Sequence, residues 1–548
     1  MYLRAHGIAI PVILLSLLSF NVPVHADDAS LGRVGEAVRP VAGGQVVMVS
    51  EKVVVTVSGP QSRVEAVFNF RNEGEGTTVL MGFPEPEPQR ERGEFGDDFR
   101  LHDFKAVVDG VAVPAKRERG LLPGQGGRPD DYPWWYTFSV PFEPGQERQV
   151  LNSYWVKNNS WSNGDTASGY ILVTGASWKG SIGEVEVRLR LADGIMPYHL
   201  LNATPTSYVF EGTDLVWRWY NLEPDRNIRF LFNTAREFIA VENALKEGSR
   251  DFLVLLRNRE YRPALELIEA ASQGGELSLV DQKVMAYARA RLLYLMGEEG
   301  EAVSLWEQLR QEVRLALPRE SFYPDHVAGA PYYHLGTRFA LAGRLKELVG
   351  LYREAKDKRI NPQVVRYLES LLPEGERGNS PPVIRELVVV PEVPGGESYR
   401  LGGVVFDPDG DLDEIKVEVW QTVNGKRMEV KVPQPEERYF QEYEGRFEVP
   451  LVQAQERGGM VVNEPIKEGI IEYRVRIADG RGGEADTGLV RWSRDNTPAQ
   501  PGGTAGRGQG SGNNQVVRQR QIIGIVTLGV LGVAFVIVRR VRGRRTTS

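Results

Sequence analysis

Five carboxylates fall within eight residues at Asp407, Asp409, Asp411, Asp413 and Glu414. At that density they repel one another unless water or a cation neutralises them. Hard divalent cations take carboxylate oxygens, and calcium accepts six to eight of them in flexible geometry. Asp407, Asp409, Asp411 and Asp413 are therefore candidate calcium ligands, and calcium is the one cofactor the sequence suggests. The spacing departs from the EF-hand rule, because Gly410 holds the fourth place of the loop rather than the sixth. A second turn, Asp479-Gly480-Arg481-Gly482-Gly483, would bring Asp479, and Asp486 with it, to the same end of a β-sandwich. The competing reading is a solvated turn leading into a strand.

Seven of the ten tryptophans lie between 134 and 219. Trp134-Trp135-Tyr136 cannot all face one side of a strand, so one ring is a candidate for exposure. Trp134, Trp135 and Trp161 are the candidate aromatic binding surface for a sugar or a partner side chain; core packing is the alternative. No His-Glu-x-x-His or Gly-x-Ser-x-Gly pattern occurs, and Gly124-Gln125-Gly126-Gly127 lacks the Lys-Ser/Thr of a phosphate loop. The chain contains no cysteine, which excludes disulfides and thiolate metal centres. No catalytic residue is assigned, and the chain is expected not to be an enzyme.

These residues must be positioned by several units, because 548 residues exceed one compact domain. From Gln45 to Phe232 hydrophobicity alternates with period two, most clearly over Glu184–Leu191, and Asp109-Gly110 marks a hairpin. This predicts an antiparallel β-sandwich over 27–235. From Ala235 to Leu372 the period changes to 3.6, which predicts a helical region over 236–375. From Ser380 to Trp492 short alternating strands return, with the size and spacing of an immunoglobulin-like sandwich over 380–495.

Three resemblances attach to these segments. Met48–Val53, Val64–Asn72 and Met81-Gly82-Phe83-Pro84 resemble a family of secreted bacterial β-domains of unknown function, itself distantly similar to the vault/inter-alpha-trypsin-inhibitor sandwich. That family implies no catalytic residues. Leu295–Gly297–Ala302 and Leu341–Gly343–Leu348 are similar to tetratricopeptide hairpins, although the full repeat is not met. The acidic turn and Ala478–Gly483 resemble immunoglobulin, PKD or cadherin-like modules of bacterial surface proteins.

The two ends suggest a compartment. Residues 1–26 read as a secretory signal with Val24-His25-Ala26 at its cleavage site. Ile522–Val538 is an uncharged run of seventeen residues followed by Arg539, Arg540, Arg542, Arg544 and Arg545. It predicts a single C-terminal transmembrane helix over 521–538, after a flexible stalk over 496–520 and before a basic cytoplasmic tail over 539–548. With the arginines at 518 and 520 set aside along with those five, the rest of the chain carries −14, which argues against a nucleic-acid-binding body. The expected protein is thus a non-catalytic, single-pass cell-surface protein, N-terminus outside, that binds or scaffolds envelope proteins or polysaccharides. A membrane-anchored sensor or accessory subunit of an envelope enzyme or secretion complex is the second reading, and an extracellular hydrolase the third.

Overall fold

The computed structural model describes residues 29–34, 37–40, 44–85, 100–121, 132–161, 163–234, 241–245, 249–274, 277–312, 325–391, 398–423, 425–435, 443–457, 460–465 and 470–492. The first β-module is built on an eight-stranded sheet. Its central strands, Val46–Val57, Gln61–Asn72 and Glu147–Lys157, bury every second residue for most of their length, as the period-two pattern requires. Ile182–Leu191 joins Val46–Val57 in parallel, and Asp214–Leu222 follows it. Thr77–Pro84 and Trp134–Phe142 form the middle of a second sheet, and Thr166–Tyr170, Ile228–Phe232 and Leu200–Thr204 belong to a third. Phe68, Phe70, Phe83, Tyr154 and Trp178 fill the core.

Seven helices with defined bounds follow: α1 Ser249–Arg257, α2 Tyr261–Gly274, α3 Leu279–Leu295, α4 Glu299–Glu312, α5 Asp325–Leu341, α6 Leu345–Asp357 and α7 Pro362–Ser370. Gly297 (φ +80°) and Gly343 (φ +66°) make the left-handed turns after α3 and α5, where a side chain would be strained. Ser278 caps α3 by accepting from the Asp281 N–H, and Asn361 caps α7 by accepting from the Gln363 N–H.

The fold class expected from the sequence is corrected here in two respects. First, the middle is not a clear tetratricopeptide region. A repeat stack buries each hairpin against its neighbours alone, whereas α5 and α7 lay their faces on the first β-module. Tyr198 meets Tyr333 at 5.5 Å, Phe210 meets Tyr367 at 5.7 Å, and Asn361 Nδ2 donates to the Leu200 carbonyl at 3.0 Å. One hydrophobic core therefore runs from Val46 to Leu372. Second, the molecule is mostly β-sheet, and among the described residues no helix is long and apolar enough to cross a membrane. The longest, α3 and α5, have 17 residues each, and α3 carries Asp281, Lys283, Arg289 and Arg291. The expected transmembrane segment 521–538, its stalk and tail, and the 1–26 signal segment lie outside the described residues.

The second β-module has a core of its own between two sheets. One sheet holds Val383–Pro391, Tyr399–Phe406 and Glu444–Pro450; the other holds Lys426–Val430, Leu412–Val423, Ile470–Asp479 and Glu484–Asp486, with Val490–Trp492 beside Ile470–Asp479. Leu401, Val405, Phe447 and Val449 of the first sheet face Ile415, Val417, Val475 and Ile477 of the second. Both acidic turns lie at one end of this module.

Candidate functional site

The turn Asp407–Asp411 joins Tyr399–Phe406 to Leu412–Val423. Asp407 fixes its shape: Oδ1 accepts the backbone N–H of Asp409 at 2.8 Å and of Gly410 at 2.9 Å, the local bonding that makes aspartate a turn former. Gly410 holds φ +69°, and a Cβ there would lie 2.7 Å from the Pro362 ring at the start of α7. The backbone thus comes as close to the helical layer as a residue without a side chain allows.

The other carboxylates reach outward to all three parts of the molecule. Asp409 Oδ2 accepts the Ser380 N–H at 2.5 Å and pairs with Arg481 at 3.2 Å, while Oδ1 pairs with Lys356 of α6. Asp411 Oδ2 accepts from Arg481 Nε at 2.5 Å, and its backbone carbonyl accepts from Thr206 Oγ1 at 2.7 Å. Asp413 Oδ1 accepts the Thr206 N–H at 2.7 Å, and Oδ2 pairs with Arg226 at 2.9 Å. From the second turn, Asp479 Oδ1 accepts the N–H groups of Arg481 and Gly483 at 2.8 and 2.7 Å, and Oδ2 accepts from Asn379. Arg481 also bonds Glu369 of α7 at 2.6 Å. On the facing side Arg366 of α7 donates to the carbonyls of Thr206 and Tyr208, both at 2.5 Å, and lies over the Tyr208 ring. Gly480 completes the joint, since a Cβ there would sit 2.4 Å from Thr206.

Burial sets the electrostatics. Asp407, Asp409, Asp411 and Asp479 are 1%, 2%, 0% and 5% exposed. Burial, with the negative charge of Asp411 behind it, pushes the Asp407 carboxyl up to about 7. Asp411 is raised too, chiefly by burial, with Arg481 and Arg366 opposing. Burial acts to lower Arg481, but Asp411 and Glu369 outweigh it and hold the guanidinium above its usual range.

The expected ligand set is thus rearranged rather than gathered as four. Asp407 and Asp411 stay together and Asp479 joins them: one oxygen from each lies within 4.8 Å of the others. Asp407 Oδ2 and Asp411 Oδ1 are buried with no hydrogen-bond partner. Asp409 and Asp413 turn to Lys356, Arg481, Arg226 and backbone donors instead. Asp486 pairs with Arg474 on an exposed strand. Arg481 lies within a turn that the sequence marks, but Arg366, Glu369, Lys356, Arg226 and Thr206 carry no local signal, because their roles arise from contacts between elements 53 to 207 residues apart.

The aromatic candidates are not brought to one surface. Trp135 is fully buried, Trp134 is 36% exposed beneath the Arg117 guanidinium at 4.0 Å, and Trp161 is half-buried near another sheet. Trp217 is core, and its Nε1 donates to the Pro205 carbonyl at 2.7 Å, steadying the loop that carries Thr206. A cleft of about 330 Å³ lies elsewhere, between Thr77–Leu80, Gln45, Trp178 and Lys179.

No family model matches the chain, and no curated protein matches it. Among solved structures, a candidate nutrient binding protein of Legionella pneumophila aligns at 20% identity and TM-score 0.32, over 50% of this chain and 99% of that one. An M1 zinc metallopeptidase of Deinococcus radiodurans aligns at 12% identity and TM-score 0.20, over 62% and 97%. Yeast LTA4 hydrolase in complex with bestatin aligns at 8% identity and TM-score 0.21, over 60% and 62%. Likenesses this weak assign neither an activity nor a ligand.

Proposed function

We propose that this chain is a non-catalytic binding and scaffolding protein, a rigid frame that presents its two β-modules and helical layer in fixed relation to partners among envelope proteins or polysaccharides. One observation supports the reading above others. Asp409, Asp411 and Asp413 of the first acidic turn, with Arg481 of the second, fasten three parts of the molecule together. Thr206 and Arg226 of the first module, Lys356, Arg366 and Glu369 of the helices, and Asp409, Asp411, Asp413 and Arg481 of the second module share one joint. A frame of that kind serves recognition, since surfaces held in place lose little freedom on binding.

The test is a pull-down with the purified chain as bait, run beside Arg481→Met, which loosens the joint at a side chain only 22% exposed. A partner retained by the native chain and lost or weakened at least tenfold by the variant supports a frame. In parallel the chain is assayed on peptide, glycoside, ester and phosphoester substrates. Turnover that a single carboxylate-to-amide substitution abolishes would replace this reading with an enzymatic one.

A further inference from the structure

We infer that the joint binds one hard divalent cation, calcium by preference, through Asp407, Asp411 and Asp479. Three observations on different footings converge on this. The first is geometric: a carboxylate oxygen from each of the three lies within 4.8 Å of the others, although Asp479 is 68 residues beyond Asp411. The second is an unmet need: Asp407 Oδ2 and Asp411 Oδ1 are buried and accept no hydrogen bond, and a buried unpaired carboxylate oxygen is costly.

The third is charge. Six carboxylates meet at the joint: Asp407, Asp409, Asp411, Asp413, Asp479 and Glu369. The four cationic side chains among them are Arg481, Arg366, Lys356 and Arg226. Carboxylates outnumber cationic side chains there, the more so because Asp225 also pairs with Arg226, and a divalent cation would offset part of that excess. The donor set is all oxygen and all carboxylate, which suits calcium or magnesium rather than a softer metal. The ligand-bearing turns have irregular backbone and two oxygens of Asp479 already oriented by Asn379 and backbone N–H groups. Such uneven geometry suits calcium better than the near-ideal octahedron magnesium demands. Asp409 and Asp413 stay bound to their own partners, so the site differs from the run of four that the sequence suggests. Because it draws ligands from both turns and sits against Thr206 and α7, the cation would tighten the same joint.

The full chain, stripped with chelator and dialysed, is titrated with calcium and with terbium. Terbium emission is sensitised by nearby tyrosines, and Tyr443 borders the turn, 3.6 Å from where a Gly410 Cβ would be. The expected result is one terbium per chain, displaced by calcium, and a rise in Tm of roughly 3 °C when calcium exceeds its dissociation constant a hundredfold. Asp407→Asn and Asp479→Asn should each weaken calcium binding at least tenfold, while Asp486→Asn, on the exposed pair with Arg474, leaves it unchanged. Absence of bound terbium and of any Tm shift in the native chain at 10 mM calcium overturns the inference. So does binding that survives in both Asp407→Asn and Asp479→Asn, which would place the ion elsewhere. The native-chain titration decides the matter even where a variant folds poorly, and neither result depends on finding a partner.

Discussion

Removing the guanidinium of Arg481 is the sharpest perturbation of the joint. Arg481→Met keeps the apolar stem and deletes contacts to Asp411 at 2.5 Å, Glu369 at 2.6 Å and Asp409 at 3.2 Å. These partners' side chains are 0%, 10% and 3% exposed, so water cannot take over. Asp409 retains Lys356 and the Ser380 N–H, and Glu369 retains the Gly378 N–H. Asp411 loses its one side-chain donor among the described residues, and most of the cost falls there. Breaking a buried pair by deleting one member costs about 3–5 kcal/mol, largely through the charge left behind. Asp411→Asn in the same chain removes that charge, so the double variant should recover part of the loss, with a coupling of about 2–3 kcal/mol. Urea denaturation followed by tryptophan fluorescence and far-ultraviolet circular dichroism measures the cycle. Trp420 and Trp492 report on the second module, and the tryptophans between 134 and 219 on the first. A cost below about 1 kcal/mol for Arg481→Met, with additive behaviour in the cycle, would refute the argument.

Three further outcomes follow from the same geometry. In chelator, Asp407 titrates near 7 when folded against an ordinary 3.8, so the folded state holds the extra proton between those values. Stability should therefore fall as pH rises from about 4 to about 7 and level off above; thermal melts of Asp407→Asn should show a flatter profile. Gly410→Ala should cost about 1–3 kcal/mol in urea midpoint terms, through its positive φ and the Pro362 ring 2.7 Å away, where glycine-to-alanine changes elsewhere often stabilise. Trp217→Phe should cost about 1–3 kcal/mol by stranding the Pro205 carbonyl, and amide hydrogen exchange at residues 206–208 should accelerate.

Local order was legible in the sequence wherever one face of an element meets one environment. The alternation over Glu184–Leu191 sits in the strand Ile182–Leu191, and Asp109-Gly110, with φ of 48° and 80°, makes the hairpin turn it suggested. The change to period 3.6 marks where the helices lie. Periodicity says which face of a helix is apolar, however, and not what covers it. The sequence places the end of α5 in a repeat-like hairpin and marks nothing in α7, yet the two helices cover Tyr198 and Phe210 of the first module. The candidate site shows the same boundary. Asp407 and Asp411 are conspicuous by spacing, and Asp479 by its glycine-rich turn. The cations that hold them lie on distant elements: Arg366 is 45 residues from Asp411, and Lys356 is 53 from Asp409. Trp134-Trp135 illustrates the limit in another way, because alternation required the two rings to part but left open that Arg117 would cover the outer one.

The central claim is that the two acidic turns fasten the second β-module to the body that the first module and the helices build on one core. The chain has no cysteine, so a pair of engineered ones can be spin-labelled without interference. Tyr220→Cys on the first module and Met428→Cys on the second replace residues that are 72% and 41% exposed. Double electron–electron resonance between these labels should give a single narrow distance distribution, which broadens when Arg481→Met is added. A broad distribution before that substitution would mean that the modules move independently and that the joint does not hold them.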